Sequence, residues 1–508
     1  MSGNRIRDER LAKLSRLRQA GIDPYGGKVE TSGSIAEIRL LCPEGADHSG
    51  PEVNVTAVGR VMAIRNMGKS CWLDLRDRSG KIQVNLLQKR LGESFELVKQ
   101  LDIGDFISAS GTLQPSRVGE ITIFAMSFAF QAKAVEPLPA KFKGLRDVEI
   151  RFRRRYLDLV ANDESRERFI LRSKIISFIR HRLDRLDFLE VETPMLQPIY
   201  GGAAARPFVT HHNSLDMDLY LRISPETYLK RLLVGGMDRV YELNRSFRNE
   251  GIDTSHNPEF TMIELYQAYA DFTDMMRLLE DLVSDAAQEI LGTTKIAFAG
   301  QSIDVAKPWP RRRIHDLIRE VAGVDPADDQ AMRERLVRAG MEAGKAGALD
   351  HDNLLKEVMD EIVEPTLVQP TFVTHHPASL NPLCKRNRED PTLSDRFEVI
   401  VAGFELANAF SELNDPAEQK ARFESQLARG GDESYCDQID HDYVSALEIG
   451  MPPAGGMGIG IDRLIMLLTG QASIREVVLF PTLKDKSPEE VEDEMQGLED
   501  DDADLSSN

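Results

Sequence analysis

Arg248, Glu250, His256, Asn257, Phe260 and Glu264 bring a cation, an imidazole, an aromatic ring and carboxylates into one short stretch. The residues before it, 240–248, have the composition of a strand. Gly251, Asp253, Ser255, Asn257 and Pro258 are turn formers, and an alternating run starts at Phe260. Side chains alternate along a strand, so Phe260, Met262, Glu264 and Tyr266 share one face. Such a hairpin suits a nucleotide: a cation for phosphate, a ring for a base, acids for a metal or an amine. A surface hairpin with solvated charges explains the same residues equally well.

Two further segments carry similar chemistry. Arg396-Phe397-Glu398-Val399-Ile400-Val401 and Phe404-Glu405 flank Ala402-Gly403, the expected tip of a hairpin. Pairing Ile400 with Glu405 would put Glu398 opposite Ala407 and make Glu398 and Glu405 diagonal neighbours. Two adjacent carboxylates can hold Mg²⁺ when triphosphate oxygens complete its shell; a salt-bridged sheet face is the alternative. Strict alternation sets Glu405 on the face opposite Asn408, Phe410 and Glu412, so one site can use both sets only if that strand bulges or twists. In Gly458-Ile459-Gly460-Ile461-Asp462-Arg463, glycines would let a ligand approach the backbone, and the following helix would offer its N-terminus and Arg463. A helix-packing glycine run is the alternative. Met67-Gly68-Lys69-Ser70 ends like a phosphate-binding loop but has Ala63 where the first glycine belongs, and no GxGxxG follows a strand, so P-loop and Rossmann chemistry is not expected.

The elements that must position these residues form two blocks. Residues 4–20 read as an amphipathic helix with Leu11, Leu14 and Leu17 on one side. Residues 53–136 read as about five strands with a helical insert at 91–101, the layout of an OB-fold barrel. Residues 1–52 lead in and 137–160 form a linker. An α+β domain follows over 161–484: a helix at 169–186 with Ile175, Ile179, Leu183 and Leu186 on one face, a helix started by Ser224-Pro225-Glu226, a helical insertion at about 311–365, returning strands at 397–413 and a final helix at 462–469. The 508 residues carry a net charge of −20, much of it in an acidic tail, 485–508, expected to be disordered. Basic clusters at Arg5, Arg7, Arg10, Lys13, Arg16 and Arg18, and at Arg151, Arg153, Arg154 and Arg155, leave nucleic acid open as a partner. No stretch is apolar enough to span a bilayer and no signal peptide is evident. Cys42, Cys71, Cys384 and Cys436 are scattered, which fits a reducing cytoplasm and argues against a zinc ribbon or disulfide scaffold.

Together the segments resemble a known family. Residues 188–194, 248–264 and 458–463 are similar to motifs 1, 2 and 3 of the class II aminoacyl-tRNA synthetases. The β block resembles the anticodon-binding OB-fold of their lysyl, aspartyl and asparaginyl subgroup. Gly201-Gly202-Ala203-Ala204-Ala205-Arg206-Pro207-Phe208, Asp216 to Arg222 and Asn408 to Asp415 resemble the bacterial-type lysyl-tRNA synthetase family. The likeness runs from residue 5 to about 484.

The resemblance implies a lysine–tRNA ligase: lysine and ATP give lysyl-adenylate and pyrophosphate, then lysine passes to the 3′ end of tRNA(Lys). It implies a cytoplasmic homodimer joined through motif 1, to which the apolar face of the 169–186 helix is suited, with about three Mg²⁺ per subunit. Arg248 and Arg463 would be catalytic. Both would bind ATP with Glu250, His256, Asn257 and Phe260. Gly202, Glu226, Glu264, Tyr266, Asn408, Phe410 and Glu412 would form the lysine pocket, Glu398 and Glu405 would hold metal, and Arg65, Trp72 and Gln83 would read the anticodon. Trp72 departs from the family's usual Phe, and a barrel-core position is its alternative. The acids of the pocket have independent sense, since one ion pair near a surface is worth about 4 kcal/mol of gross Coulomb energy. Aspartyl or asparaginyl specificity, a protein-lysylating paralogue (which lacks an OB domain) and a non-catalytic RNA-binding homologue are the rival readings.

Overall fold

A computed structural model describes residues 2–42, 53–138, 145, 147–429 and 438–487. Cys436, the acidic residues after position 487 and linker positions 139–144 and 146 lie outside these residues. The chain divides into two units, 1–151 with 486–508, and 152–485.

In the first unit, strand alternation closes a barrel. Helix α1 (Ser2–Gln19) precedes β1 (Val53–Asn66), β2 (Ser70–Arg76), β3 (Lys81–Leu87), β4 (Phe106–Pro115) and β5 (Ile121–Ala132), which close in the order β1-β2-β3-β5-β4. Cys71, Leu73 and Leu75 of β2 point inward with Ile82, Val84 and Leu86 of β3. The helical insert lies between β3 and β4, as the pattern predicts. Of the three leucines on α1, Leu14 and Leu17 are buried and Leu11 is exposed.

The second unit is organised by one sheet. Its elements are α2 (Asp163–Asp184), β6 (Leu189–Glu190), α3 (Glu226–Val234), β7 (Arg239–Phe247), β8 (Glu259–Ala268), α4 (Phe272–Ala286), β9 (Arg311–Arg313), β10 (Thr371–Thr374), β11 (Arg396–Val401), β12 (Phe404–Ser411), β13 (Ala454–Gly460) and α5 (Ile461–Thr469). Eight strands pair in the order β9-β10-β11-β12-β13-β8-β7-β6, antiparallel except at the two outermost pairs. One set of sheet side chains, including Ile263, Leu265, Val399, Ala409 and Ile459, joins residues of α2, α4 and α5 in a single core. The alternate set on β8, β11, β12 and β13 is left for a cavity.

Several expectations change. Ile175, Ile179 and Leu183 of α2 are spent on this core, so that apolar face is not available to a second copy. The glycine-rich 455–460 segment, to which the sequence assigns no element, is an inner strand. Residues 311–313, expected to open the helical insertion, pair with β10 as an edge strand. Residues 155–160, expected in the linker, belong to a helix (Arg155–Ala161) fixed to the second unit: buried Arg155 donates to the carbonyls of Arg475 at 2.7 Å and Leu479 at 2.9 Å. Helix α3 starts one residue later than expected, with Pro225 as its cap, and the Ser224 hydroxyl accepts from the Glu226 N–H at 3.1 Å. In the β11–β12 hairpin Ile400 does pair with Glu405, but a bulge then puts Glu398 opposite Asn408 and Val399 opposite Ala407. The extra residue restores parity, so Glu405, Asn408 and Phe410 all line the cavity. Among the described residues no helix is long and apolar enough to cross a membrane.

A buried clamp ties α5 to β8 and α2. The Asp462 carboxylate accepts from the Thr261 N–H at 2.7 Å and pairs with Arg172 at 2.6 Å. Breaking a buried pair strands the remaining charge, so Asp462→Ala should destabilise this unit by about 3–5 kcal/mol, seen as an earlier urea transition of the unit.

Candidate active site

One cavity of about 350 Å³, within the range of small-molecule sites, opens on the free face of the sheet. Antiparallel pairing of β7 with β8 brings Arg248 back against the start of the second strand, where its N–H donates to the Pro258 carbonyl at 2.9 Å. The Arg248 guanidinium lies 5.1 Å over the Phe260 ring, and its Nε is buried with no hydrogen-bond partner. A half-buried guanidinium with a buried, unpartnered N–H beside a cavity suits an anion. Arg463, at the start of α5, donates to the Glu405 carbonyl at 2.7 Å and contacts His256 Nε2 at 3.0 Å. An arginine can only donate, so His256 Nε2 accepts and its Nδ1–H faces Asp253 at 2.8 Å. Glu250 also lines this end. Asn257 lines the cavity too, but its amide is spent on the loop: it donates to the Glu259 carbonyl at 2.6 Å and accepts from the Thr482 N–H at 3.2 Å.

At the other end the lining is acidic. Glu264 accepts from the Ser224 hydroxyl at 2.7 Å and from the Tyr266 hydroxyl at 3.1 Å. Burial, reinforced by the nearby Glu226, pushes its carboxyl up to about 7. Gly202, at φ +89°, has its missing Cβ 2.8 Å from the Ser224 hydroxyl, so both backbone and space demand glycine. Gly202, Glu226, Glu264, Tyr266, Asn408 and Phe410 all line the cavity. Glu412 does not. It is fully buried behind that lining, beside the Lys230 ammonium, which also lies 2.5 Å from Glu226. Lys230 had no place in the sequence reading, although its i,i+4 spacing from Glu226 on a helix was a usable signal.

Glu398 and Glu405 line the cavity between these ends. Asn408 donates to Glu405 at 3.0 Å. Glu398 pairs with Arg396, and buried His376 sits 4.0 Å away. Burial lowers the His376 imidazole to about 4, so the ring is neutral at physiological pH. From the helical insertion, Glu364 is pushed up to about 9 by burial and by Asp360, Glu398 and Glu405. This excess of carboxylate suits a hard cation that also takes oxygens from a ligand. Among the described residues no group of three or more side chains is spaced as a complete metal cage.

On the barrel, Arg65 stands opposite Trp72 and Gln83 opposite Asp74. These side chains share the outer face, because Cys71 and Leu73 point inward. Trp72 is half-buried there, its ring edge-on to Phe124 with centroids 6.3 Å apart, which removes the barrel-core alternative. Arg65 pairs with Asp74 at 2.7 Å, and Gln83 accepts from the Thr122 hydroxyl at 3.0 Å.

Comparison with known proteins assigns the family. Residues 147–484 match the model of tRNA synthetases class II (D, K and N), and residues 55–129 match that of the OB-fold nucleic acid binding domain. The chain belongs to the class II tRNA synthetases. It is similar to a lysine–tRNA ligase of Pelotomaculum thermopropionicum, 52% identical over 95% of each chain. It is 51% identical to one of Carboxydothermus hydrogenoformans over 95% of this chain and 98% of the relative, and 48% identical to one of Dehalococcoides mccartyi over 94% and 97%.

Gly456, on β13, has a specific task in this synthetase. A Cβ on Gly456 would collide with the Glu412 carboxylate and the Tyr266 ring. Gly456→Ala should therefore unseat one of them and destabilise the protein by about 1–3 kcal/mol, read as a lowered Tm with loss of activity. An unchanged Tm would mean that the pocket wall yields freely.

Proposed function

We propose that the protein is a lysine–tRNA ligase that forms lysyl-adenylate from lysine and ATP and transfers lysine to tRNA(Lys). The observation that carries this reading is the single cavity with a cationic, aromatic end and an acidic end. Phe260 offers a ring for the adenine, and Arg248 and Arg463 offer charge for the phosphates. Glu226 and Glu264 offer carboxylates for ammonium groups, with Glu412 behind them. The anionic side chain of aspartate would meet these acids unfavourably.

In this mechanism the lysine carboxylate attacks the α-phosphorus and pyrophosphate leaves in line. Arg248 draws the carboxylate and the α-phosphoryl group together and stabilises the charge that develops there. Arg463 restrains the outer phosphates. Asn408, bonded to Glu405, keeps that carboxylate turned into the cavity. Glu398 and Glu405 are the residues that would hold Mg²⁺, which when bound neutralises phosphate charge. Positioning supplies most of the rate, so no side-chain nucleophile is required. The terminal ribose hydroxyl of tRNA then attacks the lysyl carbonyl carbon of the adenylate, the bond to the phosphate oxygen breaks and AMP leaves. The outer-face set of Arg65, Trp72 and Gln83 supports anticodon binding, as an aromatic platform with polar neighbours holds splayed bases. A cytoplasmic homodimer is part of the same proposal, but it rests on the family alone now that the apolar face of α2 is buried in its own core.

Amino-acid-dependent ATP–pyrophosphate exchange tests the reading. Lysine should drive exchange; exchange driven by aspartate or asparagine instead would overturn it. Lysine binding needs the ionised form of Glu264. As pH falls below about 7 that carboxyl takes up a proton, so the KM for lysine should rise by up to about tenfold per pH unit while the KM for ATP stays flat. Glu264→Gln should abolish this pH dependence and raise the lysine KM above about pH 7, where the wild-type carboxyl is ionised, the two enzymes converging as pH falls. Trp72→Ala should weaken tRNA charging and leave exchange intact; equal loss of both would assign Trp72 to barrel stability.

A further inference from the structure

Lys230 is a fully buried cation that the proposed mechanism does not use. It projects from α3, with its ammonium 2.5 Å from Glu226 and in contact with Glu412, and it lies 5.4 Å from the Phe410 ring centroid and 5.9 Å from that of Tyr266. Every one of these four residues belongs to the proposed lysine pocket. The ammonium has no exposure of its own and does not line the cavity. It stands behind the pocket, joining Glu226, which does line it, to Glu412, which does not.

The charges around this place explain why a cation is needed. Glu226 comes from the same helix, Glu264 and Tyr266 from β8, Glu412 from the end of β12 and Tyr443 from the helix His441–Gly450. Arg396 of β11 acts on Glu226 from the metal side. Three carboxyl groups buried this close repel one another and tend to take up protons. A protonated carboxyl is a poor partner for an ammonium ion, because it has lost the charge that attracts the substrate. With Lys230 present, the three carboxylates face one resident ammonium and have capacity for the two ammonium groups of a lysine substrate. Burial raises the Glu226 carboxyl and raises the Glu412 carboxyl well above its ordinary value; Lys230 opposes both rises, while the two acids together hold the Lys230 ammonium above its ordinary value.

We propose that Lys230 is a specificity-determining positioning residue, a built-in counter-cation that fixes Glu226 and Glu412 by pairing with both and favours their ionised form, so that the pocket selects a side-chain ammonium. The proposal rests on the lysine–tRNA ligase reading. Lys230 touches no reacting atom; it acts through the two acids. A pocket deprived of it would hold neutral acids and would distinguish lysine less well from norleucine, which has the same chain without the ammonium.

The test uses the full-length enzyme in ATP–pyrophosphate exchange at pH 7.5, with lysine and norleucine as probes. Lys230→Met keeps the length and removes the charge. It should raise the lysine KM at least tenfold, leave the ATP KM within twofold and narrow the preference for lysine over norleucine at least tenfold. Lys230→Arg keeps the charge and should lie nearer to wild type in both respects. A lysine KM within threefold of wild type in Lys230→Met, an equal rise in the ATP KM, or a Lys230→Arg as impaired as Lys230→Met would overturn the proposal. If Lys230→Met does not fold, Lys230→Arg decides: a lysine KM within threefold of wild type supports the counter-cation, and a tenfold rise overturns it. Wild-type enzyme that shows no lysine-dependent exchange would instead overturn the underlying reading, which keeps the two failures distinct.

Discussion

Burying several carboxyl groups beside one another is the constraint on which the rest of the site depends. Unpaired buried charge is costly, and like charges share a low-dielectric place badly. The protein answers with neighbours chosen for each acid. Glu264 takes hydroxyl donors from Ser224 and Tyr266, and Glu226 and Glu412 share Lys230. Space is as scarce as charge: Gly202 and Gly456 lack the Cβ atoms that would displace Ser224, Tyr266 or Glu412. Helix α3 is bound into this arrangement at its first turn, because the Ser224 hydroxyl accepts from the Glu226 N–H while donating to Glu264. Fold and pocket are therefore coupled through a few hydroxyls and one ammonium.

The metal side solves a similar problem by register. Without the bulge in β12, Glu405 would face the core and Asn408 the cavity. With it, one strand delivers a carboxylate, an amide and a ring to the same side. Glu398, two residues beyond the pairing of Ile400 with Glu405, then completes the acidic strip. Arg396 and the neutral ring of His376 keep company with Glu398, and the carboxyls of Asp360 and Glu364 crowd in from the insertion. That surplus of negative charge is what a divalent cation and its phosphate ligands would relieve.

Much of this was legible from residues alone. Alternation along β8 put Phe260, Met262, Glu264 and Tyr266 on one face, and all four line the cavity. Turn residues located both hairpins, and the parity conflict at Glu405 announced the bulge before its position was known. What escaped was tertiary. The glycines of 455–460 carried no strand signal, because glycine weakens a strand on its own; between β12 and β8 the sheet supplies the hydrogen bonds and the site demands the missing side chains. The apolar stripe of α2 looked free for a partner, since periodicity shows that a face must be covered but not by what. Lys230 sat in an ordinary amphipathic helix, where a charged residue is normally solvated, and only the return of β12 brings Glu412 to it.

The direction of β8 gives the site its logic. Successive same-face residues are spaced by about 6.5–7 Å, so Phe260, Met262, Glu264 and Tyr266 form a ruler from the aromatic end to the acidic end. A nucleotide stacked at Phe260 and an amino acid held at Glu264 and Tyr266 would meet between them, on the side of the Arg248 guanidinium, whose Nε lacks a partner. On the cavity face the neighbouring strand β13 presents Gly456, Gly458 and Gly460, while the side chain of Met457, which also borders the cavity, packs into the core, so that face is left to the two reactants. A sheet of this kind needs no nucleophilic side chain: rigid pairing fixes the separation of the two ends, and the absence of side chains on β13 lets the reacting groups approach.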